Sequence, residues 1–181
     1  MDDIVKAALK KWPNVPHCFG WLALDARGDW YMRDDRIQHA GPFPQVKGSR
    51  IQHAKLLQFI ERNYEADARG HWYFQNGPQR VYVQLEAAPW VWRLMWAGGA
   101  IAVTGHTGRV AQKRSVWLDA AGRLFLDTDI GFGIVHSLDM FDAASAVECG
   151  LWSPQALDFA QAPLRFGYVL DPRPEAQPEQ K

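Results

Sequence analysis

Six histidines (His17, His39, His53, His71, His106 and His136) and two cysteines (Cys18 and Cys149) are the residues of this 181-residue sequence best suited to ligate, titrate or attack. Their spacing assembles no machinery. No two histidines share a metal-ligand spacing on one short element, and His17 beside Cys18 has no second pair at a suitable distance. No metal and no cofactor are therefore expected. There is no CxxC pair and no Gly-x-Ser-x-Gly elbow, and neither cysteine has a recognisable nucleophile context. His136 lies near Asp139, Asp127 and Asp129, but an acid–base set without a nucleophile is incomplete. The simpler role for His136 is a hydrogen-bonded residue at the edge of a core. Gly131-Phe132-Gly133-Ile134-Val135 lacks the third glycine and βαβ setting of a dinucleotide loop. It also lacks the leading basic residue and second stacking aromatic of an RNA-recognition strand. Its glycines are better read as sites of close backbone packing or a bulge. Lys47-Gly48-Ser49 has the wrong order for a P-loop and reads as the cap of a helix.

Polar groups of the kind that hold a ligand occur in two places. Arg80, Tyr82 and Gln84 fall on one face of an alternating strand and offer a donor fork, an aromatic body and an amide. His106, Thr107 and Arg109 sit in a loop whose glycines, Gly105 and Gly108, allow close backbone approach. If these six converge, they suit an anionic or polar ligand with an aromatic wall. Trp90, Trp92 and Trp96 share one face of a further strand with Leu94, as a core or as an apolar groove.

The elements that must carry these residues are mostly short strands. Residues 2–12 read as a helix, with Asp2 and Asp3 at its positive end and Ile4, Val5, Ala8, Leu9 and Trp12 as its apolar stripe. Strands at 20–24 and 29–32 flank Asp25-Ala26-Arg27-Gly28, a type I turn ending in a left-handed residue. Residues 33–48 read as irregular. A helix follows over about 50–63, with Ser49 and Gln52 spaced as a capping box. The hairpin 71–75 and 80–86 alternates cleanly, Val81, Val83 and Leu85 against Arg80, Tyr82, Gln84 and Glu86. Further strands are expected at 90–96, 100–104, 114–118, 123–127 and 130–136. Short helices are expected at 137–146, with Leu138, Phe141 and Ala144 inward, and from Ser153-Pro154. The turn Asp25-Ala26-Arg27-Gly28 is echoed at 67–70, read as joining a helix to a strand, and more weakly at 119–122. Shared turn chemistry or duplication of a small unit accounts for the echo.

The fold class is thus α+β: antiparallel sheets built from hairpins, an N-terminal helix, one central helix and, on the duplication account of the echo, repeated small units. The expected organisation is an α+β half over 1–97, a β-rich half over 98–170, and a disordered tail over 171–181. Lys plus Arg balance Asp plus Glu at 20 each, which argues against a nucleic-acid partner held through phosphates. The acidic start has no signal-peptide core and no apolar run suffices for a bilayer, so no membrane partner and a cytoplasmic location are expected.

Lys11-Trp12-Pro13-Asn14-Val15-Pro16, Arg62-Asn63-Tyr64, the run from Phe74 to Val83 continuing to Leu85-Glu86 and Pro89, and His106-Thr107-Gly108 together resemble a family of small proteobacterial proteins known only as a domain of unknown function. The resemblance covers roughly residues 4–140 and implies no activity, cofactor or catalytic residue. The Gly-x-Trp-Tyr unit at 28–31 and 70–73 is similar to that of a second bacterial family of unknown function. That likeness implies repeated structural motifs and a signalling role. The residues themselves favour a non-catalytic, regulatory module that binds a small ligand, a peptide or a protein. The alternative is a small-molecule hydrolase using His106 or His136. Oligomeric state is not legible.

Overall fold

The computed structural model describes residues 2–174. Its first sheet contains β1 (Cys18–Leu24), β2 (Trp30–Met32), β3 (Ser49–Arg50), β4 (Tyr64–Ala66), β5 (Trp72–Asn76) and β6 (Gln79–Leu85), in the order β3-β2-β1-β6-β5-β4. Two three-stranded antiparallel meanders meet in one parallel pair, β1 with β6. The second sheet contains β7 (Trp90–Ala97), β8 (Ala100–Gly105), β9 (Val110–Ala111), β10 (Lys113–Asp119), β11 (Leu124–Thr128), β12 (Gly131–Val135) and β13 (Gln155–Leu157). Its order is β13-β10-β11-β12-β7-β8-β9. Again two meanders, β7-β8-β9 and β10-β11-β12, meet in one parallel pair, β7 with β12. The second sheet therefore repeats the topology of the first, and β13 adds a further strand parallel to β10. The chain passes between sheets at residues 86–89. Trp90–Ala97 belongs to the second sheet, so the change falls before the division expected near residue 97.

The recurring turn is the same object each time. In each, one aspartate side chain accepts from two backbone N–H groups, those two and four residues on. Asp25 takes Arg27 and Asp29, Asp67 takes Arg69 and His71, and Asp119 takes Ala121 and Arg123. The glycine that closes each turn has φ near +80°, as at Gly28, Gly70 and Gly122, a conformation only glycine adopts without cost. The copy at 67–70 joins β4 to β5, so it too is a hairpin rather than a helix–strand connection. A fourth copy, Gly105–Gly108, has the same backbone bonds and no aspartate. A Cβ at Gly105 would lie 2.8 Å from the Trp90 ring, so a side chain there must displace the indole.

The sheets generate two cores because their strands alternate. From the second sheet, Val91, Trp117, Phe125, Phe132 and Ile134 pack against Leu22, Leu24, Trp30, Phe74, Val83 and Leu85 of the first. The opposite faces of the same strands, with Trp90, Trp92, Leu94, Val116, Leu124, Leu126 and Val135, form a separate core. Only Gln112 separates β9 from β10, although the two stand at opposite ends of the meander order. Two residues of chain reach about 7 Å, so the sheet curls until the end of β9 meets the start of β10, and the second core fills the curl. Trp90 and Trp92 are therefore core, stacked at 5.4 Å, while Trp96 is 39% exposed at the end of β7. Their indole nitrogens donate to Ile130 O and Leu126 O. Gly131 and Gly133 give them room, since a Cβ at Gly133 would lie 2.4 Å from Trp92 Nε1.

The helices depart further from expectation. In α1 (Asp3–Lys11) only Val5 is fully buried, and Ile4 and Trp12 are exposed. Within the supposedly irregular 33–48 lies α2 (Asp35–Ala40), capped by Asp34, whose side chain accepts from Ile37 N. The central helix α3 (Ala54–Arg62) starts after His53, whose ring accepts from Leu56 N. Ser49 lies in β3 instead, so the expected capping box does not form. In α4 (Met140–Glu148) the buried residues are Ala143 and Ala146, and Leu138 and Phe141 point to solvent. Residues after Ser153-Pro154 form β13, and the last helix, α5 (Ala162–Phe166), begins later. Leu170 then accepts from Leu85 N, lashing the C-terminal segment to β6. Most of the expected tail, residues 175–181, lies outside the described residues.

Candidate functional site

The loop joining β8 to β9 points its histidine inward. His106 Nδ1 accepts from Val91 N at 3.3 Å, and the ring is surrounded by Trp30, Tyr64 and Trp90 at centroid distances of 5.6 to 5.8 Å. Gly28 of the first recurring turn packs on its Cβ. Burial pulls its pKa down to about 3. His106 is thus a neutral imidazole locked between the two sheets. Thr107 Oγ1 is also buried. Arg109 lies outside, its guanidinium 5.4 Å from the Trp90 ring centre.

Arg80, Tyr82 and Gln84 face the other way. Val81, Val83 and Leu85 of the same strand face the core that holds Trp30 and Tyr64. By the period of two, Arg80, Tyr82 and Gln84 project from the outer face. The first sheet stands between them and His106, so the six residues do not converge into one pocket.

The outer face has two clefts of its own. Arg80 lies 4.5 Å over the Tyr73 ring in a broad cleft of about 660 Å³ that also touches His17, Asp67 and Tyr82. Burial, then the charge of Arg80, lowers the pKa of His17. Tyr82 stacks on Phe19 at 4.6 Å and donates to Asp67 Oδ2 at 3.2 Å. Since Phe19 lines the second cleft, this stack forms the wall between the two. The second cleft, about 260 Å³, is lined by Arg33, Gln38, Gln84, Asp171 and Arg173. Gln84 Nε2 donates to Asp171 Oδ1 at 2.8 Å. Arg33 is 1% exposed and donates from Nη1 to Val46 O and from Nη2 to Gly41 O. Burial lowers its pKa, with Asp171 opposing from a distance.

Alternation in the sequence places Arg80, Tyr82 and Gln84 on one face of their strand, but nothing in it marks Arg33 and Asp171, which line the second cleft. Both lie in stretches without periodicity, and nothing local distinguishes a buried arginine from a solvated one.

His136 sits where the second sheet ends. Its Nδ1 accepts from Leu138 N at 3.0 Å and so caps the short 3₁₀ turn Ser137–Asp139. Burial, followed by the nearby charge of Arg93, lowers its pKa. Asp139 receives Arg93 Nε at 2.6 Å, Arg93 Nη2 at 3.0 Å and Leu94 N at 2.9 Å. Against the upward push of burial, these bonds hold its carboxyl below the usual range. Both residues are spent on structure. Among the described residues, no three His, Cys, Asp or Glu side chains cluster as metal ligands would. No helix among the described residues is long and apolar enough to cross a membrane.

Fold and site together describe an α+β protein of two topologically repeated sheets with a polar, cleft outer face on the first. The family model DUF2944, described as "Protein of unknown function (DUF2946)", matches residues 1–173, and the chain belongs to that family. No curated protein matches the sequence. Two solved structures are similar. A DUF1285 family protein from Shewanella baltica OS155 aligns with a TM-score of 0.46 and 15% identity, covering 69% of this chain and 91% of that one. A DUF1285 family protein from Silicibacter pomeroyi DSS-3 gives 0.49 and 13%, covering 80% and 84%.

Proposed function

We propose that the protein is a non-catalytic binding module that takes a small polar ligand on the outer face of its first sheet. One observation carries this reading: that face gathers Arg80, Gln84 and the buried Arg33 around two adjoining clefts of metabolite size. The state of the histidines supports it. His106 is enclosed and neutral, and His136 is engaged as a cap, so neither is poised for proton transfer. His106, Thr107 and Arg109 form no part of the proposed site. The unpaired Cys18 and Cys149 suit a reducing, cytoplasmic setting. Amide chemical-shift mapping of the full chain against a library of metabolite acids, amines and nucleotides tests the proposal. Shifts at Phe19, Tyr73 and Arg80 to Gln84 are expected. Turnover in a hydrolase or phosphatase screen, abolished by His106→Ala or His136→Ala in a protein that stays folded, would overturn it.

A further inference from the structure

We infer that the cleft at Arg33 is a site for a small monoanionic hydroxycarboxylate. The inference rests on the binding reading above and assigns a ligand class to one half of that face. Arg33 is the central observation. A guanidinium cannot shed its proton, and a buried one needs compensation for its charge. Two carbonyls, of Val46 and Gly41, take Nη1 and Nη2, but Nε is buried without a hydrogen-bond partner. No carboxylate among the described residues lies within ion-pair distance of it. Asp171, which shares the cleft, is already engaged by Arg173 at 2.9 Å and by Gln84 at 2.8 Å.

A second group in the same cleft points to the same ligand from the other direction. Gln84 is 7% exposed, and its Oε1 is a buried acceptor with no donor. A cationic donor and an unfilled acceptor in one cleft complement a molecule with an anionic oxygen and a hydroxyl. Charge sets the valence. Among the described residues, two guanidiniums, Arg33 and Arg173, against one carboxylate, Asp171, leave a single positive charge. A carboxylate balances it. A phosphate, at roughly −1.5 to −2 near neutral pH, overshoots it and faces Asp171. The cleft's 260 Å³ suits a compact molecule of a few heavy atoms.

The test titrates the full chain with D,L-glycerate, with propionate as the same acid lacking hydroxyls, and with inorganic phosphate, by calorimetry and amide shift mapping. Glycerate should bind once per chain, with shifts at Arg33, Gln38 and Gln84. Propionate should bind about fivefold more weakly, the worth of one neutral hydrogen bond. Gln84→Leu should erase the advantage of glycerate over propionate, whatever it does to the shared carboxylate affinity by releasing Asp171, and Arg33→Met should abolish both. If Arg33→Met does not fold, Gln84→Leu alone decides. Phosphate binding tighter than glycerate, equal binding of glycerate and propionate, or no effect of Gln84→Leu on their ratio would overturn the assignment. So would silence at the Arg33 cleft up to about 20 mM glycerate, a concentration that reaches very weak affinities. Library shifts confined to the Arg80 cleft would refute this inference and leave the binding face standing, whereas silence across the whole library would refute both.

Discussion

Replacing His106 by asparagine should make the protein's stability markedly less sensitive to acid. In the folded chain the His106 ring accepts from Val91 N on Nδ1 and is walled by three aromatic side chains. Its folded pKa of about 3 lies far below the roughly 6.5 of an unfolded histidine. The sign follows from linkage. Above the unfolded pKa both states are neutral, and His106 contributes fully. As the pH falls through about 6.5 the unfolded chain takes up a proton that the folded chain refuses, so stability is lost. Between about pH 7 and about pH 4.5 the loss from this residue is about 2.5 kcal/mol. Any folded pKa below about 4 gives nearly the same figure. Asparagine keeps an acceptor near the position of Nδ1 and does not titrate. His17 and His136 titrate alike in both proteins and cancel in the comparison. Urea unfolding of wild type and His106→Asn at the two pH values measures the gap directly. Wild type should be the more stable at neutral pH, and its advantage should shrink by about 2.5 kcal/mol in acid. A gap that changes by less than about 0.5 kcal/mol would refute the reasoning, as would an NMR midpoint for His106 near 6.5.

Two further substitutions probe the scaffold. Gly105→Ala places a methyl group 2.8 Å from a Trp90 ring held by its stack on Trp92 and its bond to Ile130 O, and should cost about 1–3 kcal/mol. An unchanged urea midpoint would show that the indole yields. Lys47→Met removes the ammonium that binds buried Asp25 at 2.9 Å and Glu86 at 3.1 Å. Burial pushes Asp25 up, but Lys47 and the N–H groups of Asp29 and Arg27 hold its carboxyl below the usual range, so this stability is present above about pH 4 and fades in acid. Lys47 is 36% exposed, so the cost should be about 2 kcal/mol at neutral pH rather than the full value for a buried pair. A deficit that persists undiminished in acid would count against the carboxylate as its source.

The sequence by itself determined what depends on near neighbours. The three Asp-to-Gly turns are legible because one side chain satisfies N–H groups within four residues and one glycine supplies the positive φ. The alternation of β6 is legible because the strand period sends Arg80, Tyr82 and Gln84 to one side. The aromatic face of β7 is legible for the same reason. Tertiary structure alone decided which side of each strand became which core. Val91 packs toward the first sheet and Trp90 and Trp92 into the curl of the second, and both sides are apolar, so the pattern does not rank them. It decided that the 105–109 loop docks on the inner side of the first sheet, opposite Arg80, because that side carries Trp30 and Tyr64, brought together by pairings far apart in the chain. It also decided the burial of Arg33, the capture of Gln84 by Asp171 across 87 residues, and the pairing of β13 with β10. In each case the partner group is remote in sequence, and no local periodicity records where a remote backbone will arrive.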